Sequence, residues 1–108
     1  MTTYKEMPIL VGLFPSPRQK RYRMIIANPR MIIDFGLKHS NTYVDGAEDK
    51  VRAAYLSRHA PREDWNSLSP GAASRWILWG HSRDIEENLM DFIDRFRLDV
   101  PNGAKIIL

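Results

Sequence analysis

Cysteine is absent from this 108-residue chain. That excludes a disulfide framework, a thiolate metal site and a cysteine nucleophile, and it is compatible with a reducing compartment. Long apolar runs are absent too, since nothing approaches the roughly 20 residues that a membrane-spanning helix needs. The start, Met1-Thr2-Thr3-Tyr4-Lys5-Glu6, lacks the basic-then-apolar build of a secretory signal, and the apolar run at 7–14 is short and closed by Pro15 and Pro17. These features predict a soluble, intracellular protein. Glycine is sparse: the six glycines stand singly, so no phosphate-cradling loop exists. Ser69, Ser74 and Ser82 lack a Gly-x-Ser-x-Gly elbow, and Asp34-Phe35-Gly36 matches the kinase triplet without any other kinase element. His39, His59 and His81 lie in three different segments, without the close spacings that metal chemistry favours. No metal, cofactor or catalytic set is expected. Acid–base chemistry would require His59 or His81 within hydrogen-bonding reach of Glu63 or Asp64 in an open pocket.

What is present is one small domain. At this length roughly 65% of the unfolded surface can be buried, so a single modest core is expected. The formal charge of +3 is unevenly spread. Residues 1–44 carry seven Lys/Arg against two acids, and residues 45–108 carry nine against eleven. The surplus gathers in Arg18, Lys20, Arg21, Arg23 and Arg30, beside Tyr22. That patch is a candidate polyanion surface, with a contact for an acidic protein or a solvated strand face as the favoured readings.

Periodicity predicts an α+β fold. Tyr22, Met24 and Ile26 alternate with Arg21, Arg23 and Ile25; Met31, Ile33 and Phe35 resume the pattern after the turn Ala27-Asn28-Pro29-Arg30. This is a β-hairpin or small antiparallel sheet. Three helices follow. The first spans about 47–59, with Asp45 and Glu48 at capping-box spacing and Val51, Ala54, Tyr55 and Arg58 at helical intervals. The second opens at Ser69-Pro70, carries Ala72, Ala73, Trp76 and Ile77, and stops at Gly80. The third is capped by Ser82 and bears the stripe Ile85, Leu89, Phe92, Ile93 and Phe96. Residues 1–17 read as an N-terminal strand or extended arm, 18–98 as the domain and 99–108 as a C-terminal tail.

The densest block runs from Leu56 to Gly80 and holds all three tryptophans. Arg58, His59, Arg62, Glu63, Asp64, Trp65, Arg75, Trp76 and Trp79 form its candidate structural and interaction motif. Asp64 can shape its loop by accepting backbone N–H bonds, and Glu63 can pair with Arg58, Arg62 or Arg75. Arg75 should lie on an indole face or be tied to Glu63 or Asp64. Trp76 and Trp79, three residues apart, should share one helical face, as core or as anchors for a partner.

Phe35-Gly36, Tyr55-Leu56-Ser57-Arg58-His59, Arg62-Glu63-Asp64-Trp65 and Ser74-Arg75-Trp76-Ile77-Leu78-Trp79 occur in the order found in a family of small uncharacterised proteins of large nucleocytoplasmic DNA viruses. The chain resembles that family over about residues 20–97. It departs where Leu37-Lys38-His39-Ser40-Asn41 replaces a Gly-Tyr-Ser stretch. The resemblance implies a viral setting and brings no enzymatic activity with it. On this reading the protein is a minor capsid or other virion component, contacting other virion proteins and passing through the host cytoplasm during assembly. Nucleic-acid binding by the basic hairpin is the alternative.

Overall fold

The computed structural model describes residues 7–108. Four strands form one sheet in the order β3-β2-β1-β4: β1 Ile9–Pro15, β2 Lys20–Ala27, β3 Met31–Leu37 and β4 Lys105–Ile106. The first three are antiparallel neighbours, and β4 runs parallel to β1. Alternation decides the faces of the hairpin. Tyr22, Met24, Ile26, Ile33 and Phe35 turn inward and are buried, whereas Arg23, Ile25, Ile32 and Asp34 lie on the opposite face. The fold is α+β, as predicted.

The segment set apart as an arm is, of the two readings, a strand, and an internal one. Leu10 and Leu13 are wholly buried, and β1 is flanked by β2 and β4. An irregularity between Leu10 and Gly12 places Val11 outside the regular pairing, which is why the run shows no clean alternation. The C-terminal tail also joins the sheet: Leu10 N–H donates to the Asp99 carbonyl, and Ile107 N–H to the Leu13 carbonyl. Residues 1–6 of the expected arm lie outside the described residues.

The helical layer packs on the inward face. It comprises α1 (Asp49–His59), α2 (Pro70–Ala73), which passes directly into a π turn (Ser74–Leu78), and α3 (Ile85–Arg95). Short 3₁₀ turns at Tyr43–Asp45 and Ala60–Arg62 flank α1. Leu89 and Phe92 of α3 enter the core with Ile77 and Leu78, while Ile85, Ile93 and Phe96 pack against it. No helix among the described residues is long and apolar enough to cross a membrane.

Two caps differ from expectation. Asp84, not Ser82, caps α3 by accepting from Glu86 N–H at 2.9 Å; the Ser82 hydroxyl is occupied by Asp84 N–H. Asp45 does not begin a capping box with Glu48 but turns back to accept from the Thr42 backbone N–H and hydroxyl. The Ser69 cap forms as expected, accepting from Ala72 N–H at 3.1 Å.

Helix α1 has no apolar stripe. Only Tyr55 is buried, and Val51 is 41% exposed. Its docking face is Arg52, Tyr55, Leu56 and His59, at i, i+3, i+4 and i+7, one position away from the Val51, Ala54 and Arg58 set. Guanidinium and aromatic contacts therefore hold this helix where hydrocarbon usually would.

Gly36, the penultimate residue of β3, lies in the left-handed region at φ +79, where a β-carbon would stand 2.7 Å from Leu78 Cδ1. Phe35 fills the core while Gly36 lets the π turn approach the sheet.

Candidate functional site

The loop after α1 is organised by its own acids. Asp64 accepts from Asn66 N–H at 2.9 Å and from the Ser67 hydroxyl at 2.8 Å, and the backbone bond holds its carboxyl below the usual range. Glu63 pairs with none of the three expected arginines. Its Oε2 accepts from the Trp65 indole at 2.8 Å, and its Oε1 lies 3.4 Å from His59 Nδ1. The Trp76 indole donates to the Trp65 carbonyl at 2.8 Å, tying loop to π turn.

Arg75 takes the indole alternative. Its guanidinium carbon lies 4.1 Å from the Trp76 ring centroid and 5.1 Å from that of Trp65, and Arg95 stands 3.5 Å from the Trp76 centroid. The result is a ladder, Trp65–Arg75–Trp76–Arg95, in which cations meet π faces. Arg75 Nη1 also donates to the Trp79 carbonyl at 3.0 Å, which Arg52 Nε reaches at 3.2 Å. Arg75 Nε is buried without a partner. Burial, followed by the like charges of Arg52 and Arg95, pushes the Arg75 pKa down to about 10. Among the described residues none of these three arginines forms an ion pair with a carboxylate.

The π turn separates the two tryptophans expected on one face. Trp79 N–H bonds five residues back to the Ser74 carbonyl, adding a residue to the turn. Trp76 consequently faces the ladder, half-buried, while Trp79 turns into the core and stacks on Tyr55 with centroids 4.3 Å apart and planes at 7°. Tyr55 also stacks on His59 at 4.2 Å, and burial pushes its phenol up to about 12.

Asn88, a residue that sequence reasoning did not single out, holds this geometry. It is wholly buried; its amide donates to the Ile77 and Ser82 carbonyls at 3.0 and 2.7 Å and accepts from Ser82 N–H at 3.1 Å. Gly80 leaves room for it, since a β-carbon there would lie 2.5 Å from Asn88 Cγ. A lone Asn inside an apolar helical stripe was the available signal. Arg52 and Arg95 were missed as well, because each acts from another helix.

Beside the Tyr55 stack a cleft of about 330 Å³ opens between the end of β3, α1 and α2. Phe35, Leu37, Leu78 and Trp79 supply apolar wall, Ser40 and Ser74 hydroxyls, and Lys20, Arg58, His59 and Glu63 charge. His59 and Glu63 thus share an open pocket. Their 3.4 Å separation exceeds the roughly 2.6–3.2 Å reach of a working base, however, and the other Glu63 oxygen is committed to Trp65. His81 lies elsewhere, exposed, with Nδ1 2.8 Å from Asp91. Arg62 stands exposed and joins neither ladder nor cleft.

The basic hairpin is divided. Arg21 makes a two-pronged bond to Asp45 at 2.6 and 2.8 Å, and Arg23 one to Asp34 at 2.8 and 2.9 Å. The Arg21 bond pushes the Asp45 carboxyl down to about 2. Arg18 and Lys20 remain at one end of β2, with Arg30 beyond the other, a strand length apart. Two of the five charges expected to face a polyanion are therefore internally neutralised.

A sequence profile of a family of unknown function (DUF5754) matches residues 11–59. The match covers β2, β3, α1 and all but the first two residues of β1, leaves out β4, and ends before the Trp65 and Trp76 motifs. No curated protein and no solved structure matches the chain.

Proposed function

We propose that this chain is a non-enzymatic interaction module, a minor structural component of a large DNA virus particle, that docks an acidic surface of another virion protein. The viral setting rests on the resemblance of its tryptophan motifs. The ladder Trp65–Arg75–Trp76–Arg95 carries the docking reading. Tryptophan and arginine are the side chains that most often anchor interfaces, and here they are stacked before any partner arrives, with Trp65, Arg75 and Trp76 half-buried and Arg95 exposed. The uncompensated charge of Arg52, Arg75 and Arg95 selects a partner bearing carboxylates. Exposed Val100, Ile106 and Ile107 along the short β4 edge offer a second, apolar contact. Nucleic acid is the weaker reading, because Arg21 and Arg23 already hold carboxylates.

Mass spectrometry of purified particles tests the setting, and an Arg95→Glu variant tests the surface. The wild-type chain should co-purify with particles and the variant should be depleted while remaining folded by circular dichroism. Abundance in infected cells with absence from particles would overturn the proposal.

A further inference from the structure

The geometry points to the cleft beside Tyr55 as a binding site for a small amphipathic anion, an oxyanion such as a phosphate or carboxylate carried on a flat apolar body. The volume of about 330 Å³ falls at the lower end of small-molecule sites. It would hold one ring and its charged group and exclude a folded partner.

Charge selects the sign of the ligand. Besides His59 and the Tyr55 phenol, four ionisable groups line the cleft: Lys20, Arg58, Asp34 and Glu63. Asp34 is neutralised by Arg23 in a two-pronged bond, whereas Glu63 keeps its charge, with Oε2 accepting from the Trp65 indole. Neither Lys20 nor Arg58 has a carboxylate partner among the described residues. Arg18, Lys38 and His39 line the adjoining hollow, which shares Leu37 and Ser40 with the cleft, and extend the positive potential outward. Within the cleft two cations without a carboxylate partner, Lys20 and Arg58, outnumber the one carboxylate that no arginine neutralises, Glu63, so the balance favours an oxyanion over a cation.

The remaining lining selects the body. Phe35, Leu78 and Trp79 are buried residues that contribute to the cleft lining, and Leu37, also in the lining, is 63% exposed. An apolar ring entering here is dehydrated on one side without displacing any protein hydrogen bond. The hydroxyls of Ser40 and Ser74 line the same space, and neither makes a side-chain hydrogen bond within the described chain. They are donors available to an oxyanion oxygen. At the back, the Glu63 carboxylate lies against Gly71, where a β-carbon would stand 3.0 Å from Oε1, so the cleft ends rather than continuing as a groove.

The test uses the full chain, titrated with phenyl phosphate, benzoate, inorganic phosphate and phenol, and read by tryptophan fluorescence and amide chemical shifts. Phenyl phosphate or benzoate should bind saturably with Kd on the order of 1 mM or tighter. Whichever of the two binds better identifies the oxyanion. Inorganic phosphate and phenol, each lacking half of the ligand, should bind at least about tenfold more weakly. Shifted amides should cluster at 34–42, 55–63 and 70–79. The Lys20→Gln, Arg58→Gln double variant alters only exposed side chains and should melt like wild type, yet lose about tenfold or more in affinity. Absence of saturation at about 10 mM for both aromatic anions would overturn the inference. Undiminished binding by the double variant would do the same, as would shifts centred on Arg52, Arg75 and Arg95.

Discussion

Replacement of Arg75 by alanine tests whether the ladder is a structural lock. Two indole contacts with half-buried rings contribute about 0.5–1 kcal/mol each, and the bond from a charged donor to the Trp79 carbonyl about 1.5 kcal/mol. Opposing them, burial and the neighbouring Arg52 and Arg95 hold the pKa down to about 10, so the folded state disfavours this charge. In full that penalty is on the order of 3 kcal/mol, and water on the open side screens roughly half of it. The half-buried methylene stem between Trp65 and Trp76 adds about 1 kcal/mol of packing. The balance is a loss of about 2 kcal/mol on Arg75→Ala.

Arg75→Met separates the contributions. It keeps the stem, removes the desolvated charge and its repulsion, and leaves the Trp79 carbonyl still bonded to Arg52. A loss of only about 1 kcal/mol is expected, giving the order wild type, Met, Ala. Urea unfolding followed by fluorescence and far-ultraviolet circular dichroism, with unchanged m values, supplies the free energies. Arg30→Ala, on an exposed turn, is the control and should stay within about 0.5 kcal/mol of wild type. The reasoning fails if Arg75→Ala also stays within about 0.5 kcal/mol, or if Met costs more than Ala. In the first case the ladder would be a partner surface only.

Four further substitutions, at three positions, probe other parts of the fold. Asp45→Asn should cost about 1 kcal/mol at pH 7, allowing for screening of a partly open pair. Because the folded pKa of Asp45 is depressed to about 2, that stability is present above about pH 4 and disappears toward pH 2, where urea midpoints of the variant and wild type should converge. Asn88→Ala should cost about 3 kcal/mol by leaving the Ser82 N–H and two carbonyls unsatisfied. Asn88→Asp should be worse at neutral pH than near pH 3, since an ionised carboxylate cannot donate to those carbonyls. Arg97 occupies the left-handed region at φ 52 just after α3, so Arg97→Gly should raise stability by about 0.5–1 kcal/mol in thermal or urea melts.

Legibility in the sequence followed the range of each interaction. The β2–β3 hairpin and the stripe of α3 were readable because two-residue and 3.6-residue periods report burial directly. The Ser69 cap was readable because capping is local. β1 was ambiguous because the irregularity at Val11 breaks its period. Helical spacing locates α1 but not its docking face, because the contacts come from Arg52, Tyr55 and His59, which hydrophobic patterning counts as polar or neutral. The π turn carries no local mark. It forms where Asn88, 11 residues beyond Ile77, supplies the bonds that the widened turn needs, so neither segment alone announces it. Opposite charges favour an arginine partner for Glu63, yet the indole of Trp65 takes one of its oxygens, Arg58 and Arg62 stay exposed, and Arg75 is already occupied by π faces.

The charge map follows the same logic. Counting by halves makes residues 1–44 basic and the remainder acidic, but folding pairs across the halves. Asp45 crosses to Arg21, and Asp34 neutralises Arg23 within the sheet. Among the described residues, positive charge without a carboxylate partner is found at Arg52, Arg75 and Arg95 on the helical layer, at Lys20 and Arg58 at the cleft mouth, and at Arg18 and Arg30 on the hairpin. A guanidinium that is dehydrated without a carboxylate lowers the stability of the free protein, as the depressed Arg75 pKa records. An anion arriving beside Arg75 or Arg95 removes that cost while forming its own bond, so part of the binding energy is stored in the unbound fold. The same argument requires that partner binding raise the melting temperature, and that added salt, which screens Arg95 more than the buried Arg75, weaken the complex only in part.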